Sequence, residues 1–342
     1  MKWYFLFASL TLLQTVKGQH DQSDAAIGNK ASFVKFIPVT FSNKFSLNVT
    51  PVLTIQSGDT VSTETIDALG YDKNGVKRQH GGNPLTGPFY IKNCEDGDVL
   101  KITLTRVSLN RPYAYTTESF VSRSMPENIS KQFKKAHLVK WKLDIKNNVG
   151  WPDSSASIYE HLQNFRVPLT PFLGCIGVAP DGKKNEILSF FQGPFGGNMD
   201  FSGIRQSSVI YLPVFHDGGY LYIGDGHALQ GDGEIAGNAL ETSLNVEFSV
   251  SVIKKDIMQL TTPRVEDSIY IMTMGSASKL EDALKIATAD LLLWIQKDYQ
   301  LSIQEATQVM STTIEYSIAE IADPEVIVVA KIKKEMLKQL KR

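Results

Sequence analysis

Ten residues, Asp225-Gly226-His227-Ala228-Leu229-Gln230-Gly231-Asp232-Gly233-Glu234, set three carboxylates and one imidazole among three glycines. Hard oxygen donors and an imidazole are what a divalent metal selects. A metal held this way polarises a carbonyl and lowers the pKa of water. Eleven of the chain's 25 glycines fall between Gly193 and Gly237, a density that allows positive φ and close approach of main chain to a ligand. Against this stands a plainer account, in which the acids of a glycine-rich bend hydrogen-bond its own backbone amides. Metal ligands usually come from several segments, so Glu64, Asp67, Asp200 and Glu241 are candidate partners. His80, His137 and His161 are expected at the surface.

Other chemistries lack their signatures. There is no Gly-x-Ser-x-Gly elbow, P-loop, dinucleotide fingerprint or His-Glu-x-x-His pair, and the spacing from Asp225 does not fit an EF-hand. Cys175 in Leu173-Gly174-Cys175-Ile176-Gly177 could serve as a thiol nucleophile; a small buried hydrophobe is the alternative. With only Cys94 and Cys175, the chain has too few cysteines for a disulfide scaffold or a cysteine-based zinc site.

The strands that must hold the loop show by alternation. Leu244, Val246, Phe248, Val250 and Val252 alternate with polar residues, as do Leu100, Ile102 and Leu104. Further strands are expected at 33–37, 52–55, 61–68, 209–214 and 220–223. His216-Asp217-Gly218-Gly219 resembles a hairpin turn between the last two. Residues 168–180 suit a buried loop or short strand, and the lysines between 131 and 142 a solvated face. Past Pro263 the period becomes helical. Capping boxes at Ser278–Glu281 and Ser302–Glu305 predict two amphipathic helices, the second reaching about Ile321, where Asp323-Pro324 stops it. A short strand at 326–329 and a lysine-rich helical tail follow. Strands followed by helices give a mainly β fold, a sandwich or barrel with a C-terminal α-helical (α+β) segment. The expected division is β-rich at 33–262 and α+β at 263–342.

Lys2, an apolar run at 3–13 and Val16-Lys17-Gly18 form a secretory signal peptide pattern with cleavage near Gly18-Gln19. Residues 19–32 then make a loose leader, and the mature protein is expected to be secreted or periplasmic and not membrane-bound. A net charge of −1 gives no steering toward nucleic acid and suits a small ligand of little charge.

Gly87-Pro88-Phe89-Tyr90, Glu95-Asp96-Gly97-Asp98-Val99, Gly174 to Pro180, Gly197-Asn198-Met199-Asp200 and Gly224 to Glu234 with Glu241 resemble, in order, the acetamidase/formamidase family. The resemblance runs from about residue 33 to the C-terminal helices. It implies a mainly β fold, hydrolysis of short aliphatic amides to carboxylate and ammonia, a bound divalent metal (zinc first, calcium second), and a homodimer or larger homo-oligomer. In that reading Glu234 is the general base, Asp67, Asp225, His227 and Asp232 hold the metal, and Asn198, Asp200, Gln230 and Glu241 face the substrate. A non-enzymatic, metal-containing binding protein of the same fold is the competing expectation. A secretion signal is not expected of a nitrogen-scavenging cytoplasmic enzyme, and the 73–83 loop has no clear counterpart in the family.

Overall fold

The structure is a computed structural model describing residues 31–133, 137–153, 157–182 and 186–340. The leader expectations at 1–30 lie outside the described residues. Two large sheets carry the fold. The first has nine strands in the order Phe33–Lys35, Thr60–Glu64, Leu244–Ile253, Val99–Leu109, Val209–Pro213, Arg264–Glu266, Tyr270–Ala277, Val326–Lys333 and Glu315–Glu320. The second has eleven and is built around Leu221–His227, with Phe172–Gly177 on one edge of that strand. Its other edge is shared. Leu85–Ile91 pairs with the first half of the strand and Glu241–Thr242 with the end, the change of partner falling at Asp225.

The main core takes its side chains from both sheets, including Leu100, Ile102 and Phe248 of the first and Leu173, Ile176 and Ile223 of the second. Phe89 meets Phe248 edge to face at 5.3 Å across them. This is the mainly β sandwich that the alternating runs predict, and burial of one strand face against another explains why alternation was a sound guide. The 168–180 segment supplies a fully buried strand, Phe172–Gly177.

Two local expectations in the β-rich part change. His216–Gly219 does not close a hairpin, because the strands on either side of it belong to different sheets. Turn composition reports a reversal of the chain but cannot say where the next strand pairs. The strand expected at 61–68 ends at Glu64, and Asp67 follows it in a turn.

The C-terminal part carries helices as expected, and its four strands also complete the nine-stranded sheet. Leu280–Tyr299 packs on the sheet through Ala287, Leu291 and Ile295, with Ile271 and Ile332 opposite. Ser278 is not its cap: Lys279 occupies that position without a side-chain cap bond. Ser302 and Glu305 do form the predicted box, the Ser302 hydroxyl accepting from the Glu305 amide and the Glu305 carboxylate accepting from Ser302. That helix stops at Thr313. Ile314 is already extended (ψ 137°), and Glu315–Glu320 pairs with Val326–Lys333. The β-branched run Thr312-Thr313-Ile314 favours this switch, and pairing with a strong Val/Ile strand overrides the helical periodicity. Among the described residues, the lysine-rich tail is helical at Lys334–Leu337 alone.

A buried carboxylate and imidazole cluster

Asp225 and His227 sit two apart on one strand, so their side chains leave the same face of the sheet. Glu241 lies directly across from His227 in the register, with its Oε1 3.2 Å from His227 Nε2. Asp225 Oδ1 lies 3.6 Å from the same nitrogen, and Asp200 Oδ1 lies 3.8 Å from His227 Nδ1. Glu234 approaches to 4.0 Å of Nε2 from the following turn. All five side chains are buried. Phe172 meets the imidazole edge to face at 4.8 Å and fixes its plane.

Three of these acids, Asp200 (φ 41°), Asp225 (φ 53°) and Glu234 (φ 46°), adopt the left-handed backbone that favours glycine. Such conformations cost free energy and collect at functional sites. Gly174 stands in the strand opposite Asp225. A Cβ there would press on Asp200 Oδ1, and would come within 2.7 Å of Asp225 Oδ2 and 2.8 Å of His227 Cε1. The absence of a side chain at Gly174 opens the space that the two carboxylates and the imidazole face.

Neighbouring groups hold the acids in place. Asn198 donates to Asp200 Oδ2 (2.5 Å) and Asp323 Oδ2 (2.9 Å), while its Oδ1 accepts from Cys175 and Asn83. Asn83 also donates to Asp225 Oδ2 at 3.0 Å. Gln230 donates to the carbonyls of Asp200 and Ala319. One oxygen on each of Asp200, Asp225 and Glu241, together with both nitrogens of His227, is buried with no hydrogen-bond partner among the described residues.

The electrostatics are severe. Burial, reinforced by Asp225, lifts the Asp200 carboxyl well above the usual range. Burial, with Asp200 and Glu320 nearby, does the same to Glu234. Burial raises Glu241 although His227 pulls it back. Asp323 is pushed up to about 7 by burial and the Glu320 charge. Burial opposes a charge on His227, but Glu241 and Asp225 outweigh it and hold the imidazolium well above its ordinary pKa. The centre is therefore short of positive charge, and its orphaned atoms have the chemistry of cation ligands. Asp225, His227 and Glu241, and likewise Asp200, His227 and Glu234, each offer one ligand atom within 4.8 Å of the others. A divalent cation fits this donor set.

Of the expected site residues, the fold brings Asp225, His227, Glu234, Asp200 and Glu241 together, with Asn198 and Gln230 against them. Asp232 is not with them. It is exposed at the tip of the glycine turn, outside both ligand triads. Asp67 is also elsewhere engaged, pairing with Arg111 at 2.7 Å where both side chains are fully buried, and accepting from the Tyr71 amide. Glu64 pairs with Lys73. Asp200 and Glu241 belong with the imidazole, and Asn198 is already bonded to its protein neighbours, so none of these three is a free substrate contact. His80, His137 and His161 are exposed, as expected.

Both cysteines are free and buried. Cys175 donates to Asn198 Oδ1 at 2.7 Å, and burial with Asp225 pushes its thiol well above the ordinary value, which keeps it a poor nucleophile. Sequence reasoning missed Asn83, Glu320, Asp323 and Arg111 as neighbours of the site.

Arg111 anchors the Glu241 strand. Its Nη2 donates to the Glu241 carbonyl (3.2 Å) and its Nε to Thr242 Oγ1 (3.1 Å) and the Tyr113 carbonyl (3.2 Å). Arg111→Met would leave Asp67 buried and uncompensated, and should cost about 3–5 kcal/mol of unfolding free energy in denaturant titration. A cost below about 1 kcal/mol would show that Asp67 finds other compensation.

The sequence pattern of the Acetamidase/Formamidase family matches residues 34–188 and 194–314. The fold is similar to an acetamidase of Yersinia enterocolitica, with 30% identity, TM-score 0.76, and coverage of 91% of this chain and 95% of that one. It is also similar to an acetamidase of Bacillus halodurans, with 26% identity, TM-score 0.75, and coverage of 90% and 100%. A Schizosaccharomyces pombe protein named "Putative formamidase" is 25% identical over 265 residues, 60% of this chain. The matched stretch spans 62% of that relative's length.

Proposed function

This chain belongs to the acetamidase/formamidase family, and from that premise we propose that it hydrolyses the C–N bond of primary amides, of which formamide and acetamide are the simplest, to a carboxylate and ammonia. The observation that carries the proposal is the set of buried atoms on Asp225, His227 and Glu241 that have no hydrogen-bond partner among the described residues, on three side chains that each offer a ligand atom within 4.8 Å of the others. These three residues would hold a divalent cation, with Asp200 beside them. One imidazole among carboxylates suits zinc, whereas calcium takes oxygen ligands alone. When bound, the cation polarises the amide carbonyl and acidifies water.

The chain's own groups do the rest. Glu234 is the one carboxylate of the cluster that also lines an adjoining cavity. From there it takes the proton of the attacking water and hands it to the departing nitrogen. Gln230 pins the main chain of Asp200, and Asn83 and Asn198 keep the Asp225 and Asp200 carboxylates turned inward. Phe172 holds the imidazole ring in the plane that presents Nε2 to Asp225 and Glu241.

The proposal includes secretion or export to the periplasm after cleavage near Gly18-Gln19, supported by the leader pattern, and assembly into a homodimer or larger homo-oligomer. Ammonia release from formamide and acetamide tests the activity. Turnover that appears only with the folded, metal-loaded protein is expected. A folded, metal-loaded protein that releases no ammonia from any primary amide would refute it.

A further inference from the structure

A cavity of about 240 Å³ adjoins the acidic centre. Its walls are mostly apolar, from Trp141, Phe165, Val167, Leu229 and Leu240. Trp141 and Phe165 meet edge to face, with ring centroids 6.2 Å apart and planes at 77°, so one side of the cavity is a built aromatic wall. Among the described residues of the lining, Glu234 alone is ionisable, and it also belongs to the cluster around His227.

Two further wall residues tie this cavity to the centre. Ala239 donates its amide to Glu241 Oε1 at 2.9 Å. Gln230 donates both to the Asp200 carbonyl and to that of Ala319, and its Oε1 is buried with no partner among the described residues. A primary amide brings two N–H donors, and a glutamine oxygen is an acceptor that suits one of them.

We propose that this cavity is the acyl subsite of the enzyme and that it selects primary amides with a bulky apolar acyl group, such as an aryl or branched-chain amide, over formamide and acetamide. The inference rests on the amidase reading and specifies its substrate class. The hydrogen of formamide or the methyl of acetamide would leave the apolar walls facing water. A phenyl or isopropyl group displaces that water and gains about fourfold in affinity for each buried methylene equivalent. The amide nitrogen then lies toward Gln230 and the scissile carbonyl toward Glu234.

The test compares kcat/KM for formamide, acetamide, isobutyramide and benzamide by ammonia release. In parallel, calorimetry measures Kd for benzamide and acetamide on the metal-loaded protein. Benzamide is expected to exceed acetamide by at least about tenfold in both measurements. Trp141→Ala and Phe165→Ala should each lower the benzamide-to-acetamide ratio by about fivefold or more. Phe165 is 46% exposed, so its truncation leaves folding intact even where that of Trp141 does not.

Preference for formamide or acetamide, with benzamide bound no more tightly than acetamide, overturns the subsite while the amidase reading stands. If no amide is hydrolysed but benzamide still binds more tightly in a Phe165-dependent way, the subsite stands and the amidase reading falls.

Discussion

Glu234→Gln is expected to lower kcat for amide hydrolysis by about 10²–10⁴-fold, with metal content unchanged. The substitution keeps the shape of the side chain and removes only its capacity to take and return a proton. Glu234 lies 4.0 Å from His227 and contributes to the wall of the adjoining cavity. The effect should therefore fall on kcat and not on KM. Thermal stability of the metal-free protein should hold or rise, because the change withdraws one carboxyl from a buried group of acids that burial forces toward the protonated form when no cation offsets their charge. Metal content by elemental analysis and kcat by ammonia release check it together. Wild-type turnover in this variant would exclude Glu234 as the proton-transfer group.

Gly174→Ala is expected to abolish both metal retention and turnover in a protein that still folds. Its added methyl would lie 2.7 Å from Asp225 Oδ2 and 2.8 Å from His227 Cε1, and it would also press on Asp200. Those groups must move apart or turn away, and either movement breaks the convergence on which cation binding depends. The surrounding strand is paired on both edges and keeps its ladder. Far-ultraviolet circular dichroism should match the wild type, while bound metal and ammonia release fall to background. Full metal content in Gly174→Ala would mean that the cation binds elsewhere.

Much of this centre was legible in the primary structure because its chemistry is local. Asp225, His227 and Glu234 lie within ten residues, and the glycines around them announce unusual backbone, which the left-handed φ of Asp225 and Glu234 bears out. Asp232 had the same local credentials and fails because it sits at the exposed tip of the turn, a distinction that composition does not carry. Asp67 was equally misleading: its partner Arg111 is brought to it only by the fold, and nothing in the spacing of the two residues signals a buried pair. Glu320 and Asp323 were hidden by a helical pattern that continues past Thr313, although the chain turns extended at Ile314 to add an edge strand. The alternating runs at Val99–Leu109 and Leu244–Ile253 were dependable because each has one face in the shared core. Which strands become neighbours was not legible, as the segment at His216–Gly219 illustrates by passing the chain from one sheet to the other.

The most direct test is the rate of ammonia release measured against metal bound per chain, in protein stripped by chelator and then reloaded stepwise with zinc. A rate near zero is expected in the stripped protein, with recovery in proportion to occupancy and no recovery in His227→Ala. Full activity in stripped protein, or recovery in His227→Ala equal to that of the wild type, would contradict the claim that Asp225, His227 and Glu241 hold the cation on which amide hydrolysis depends.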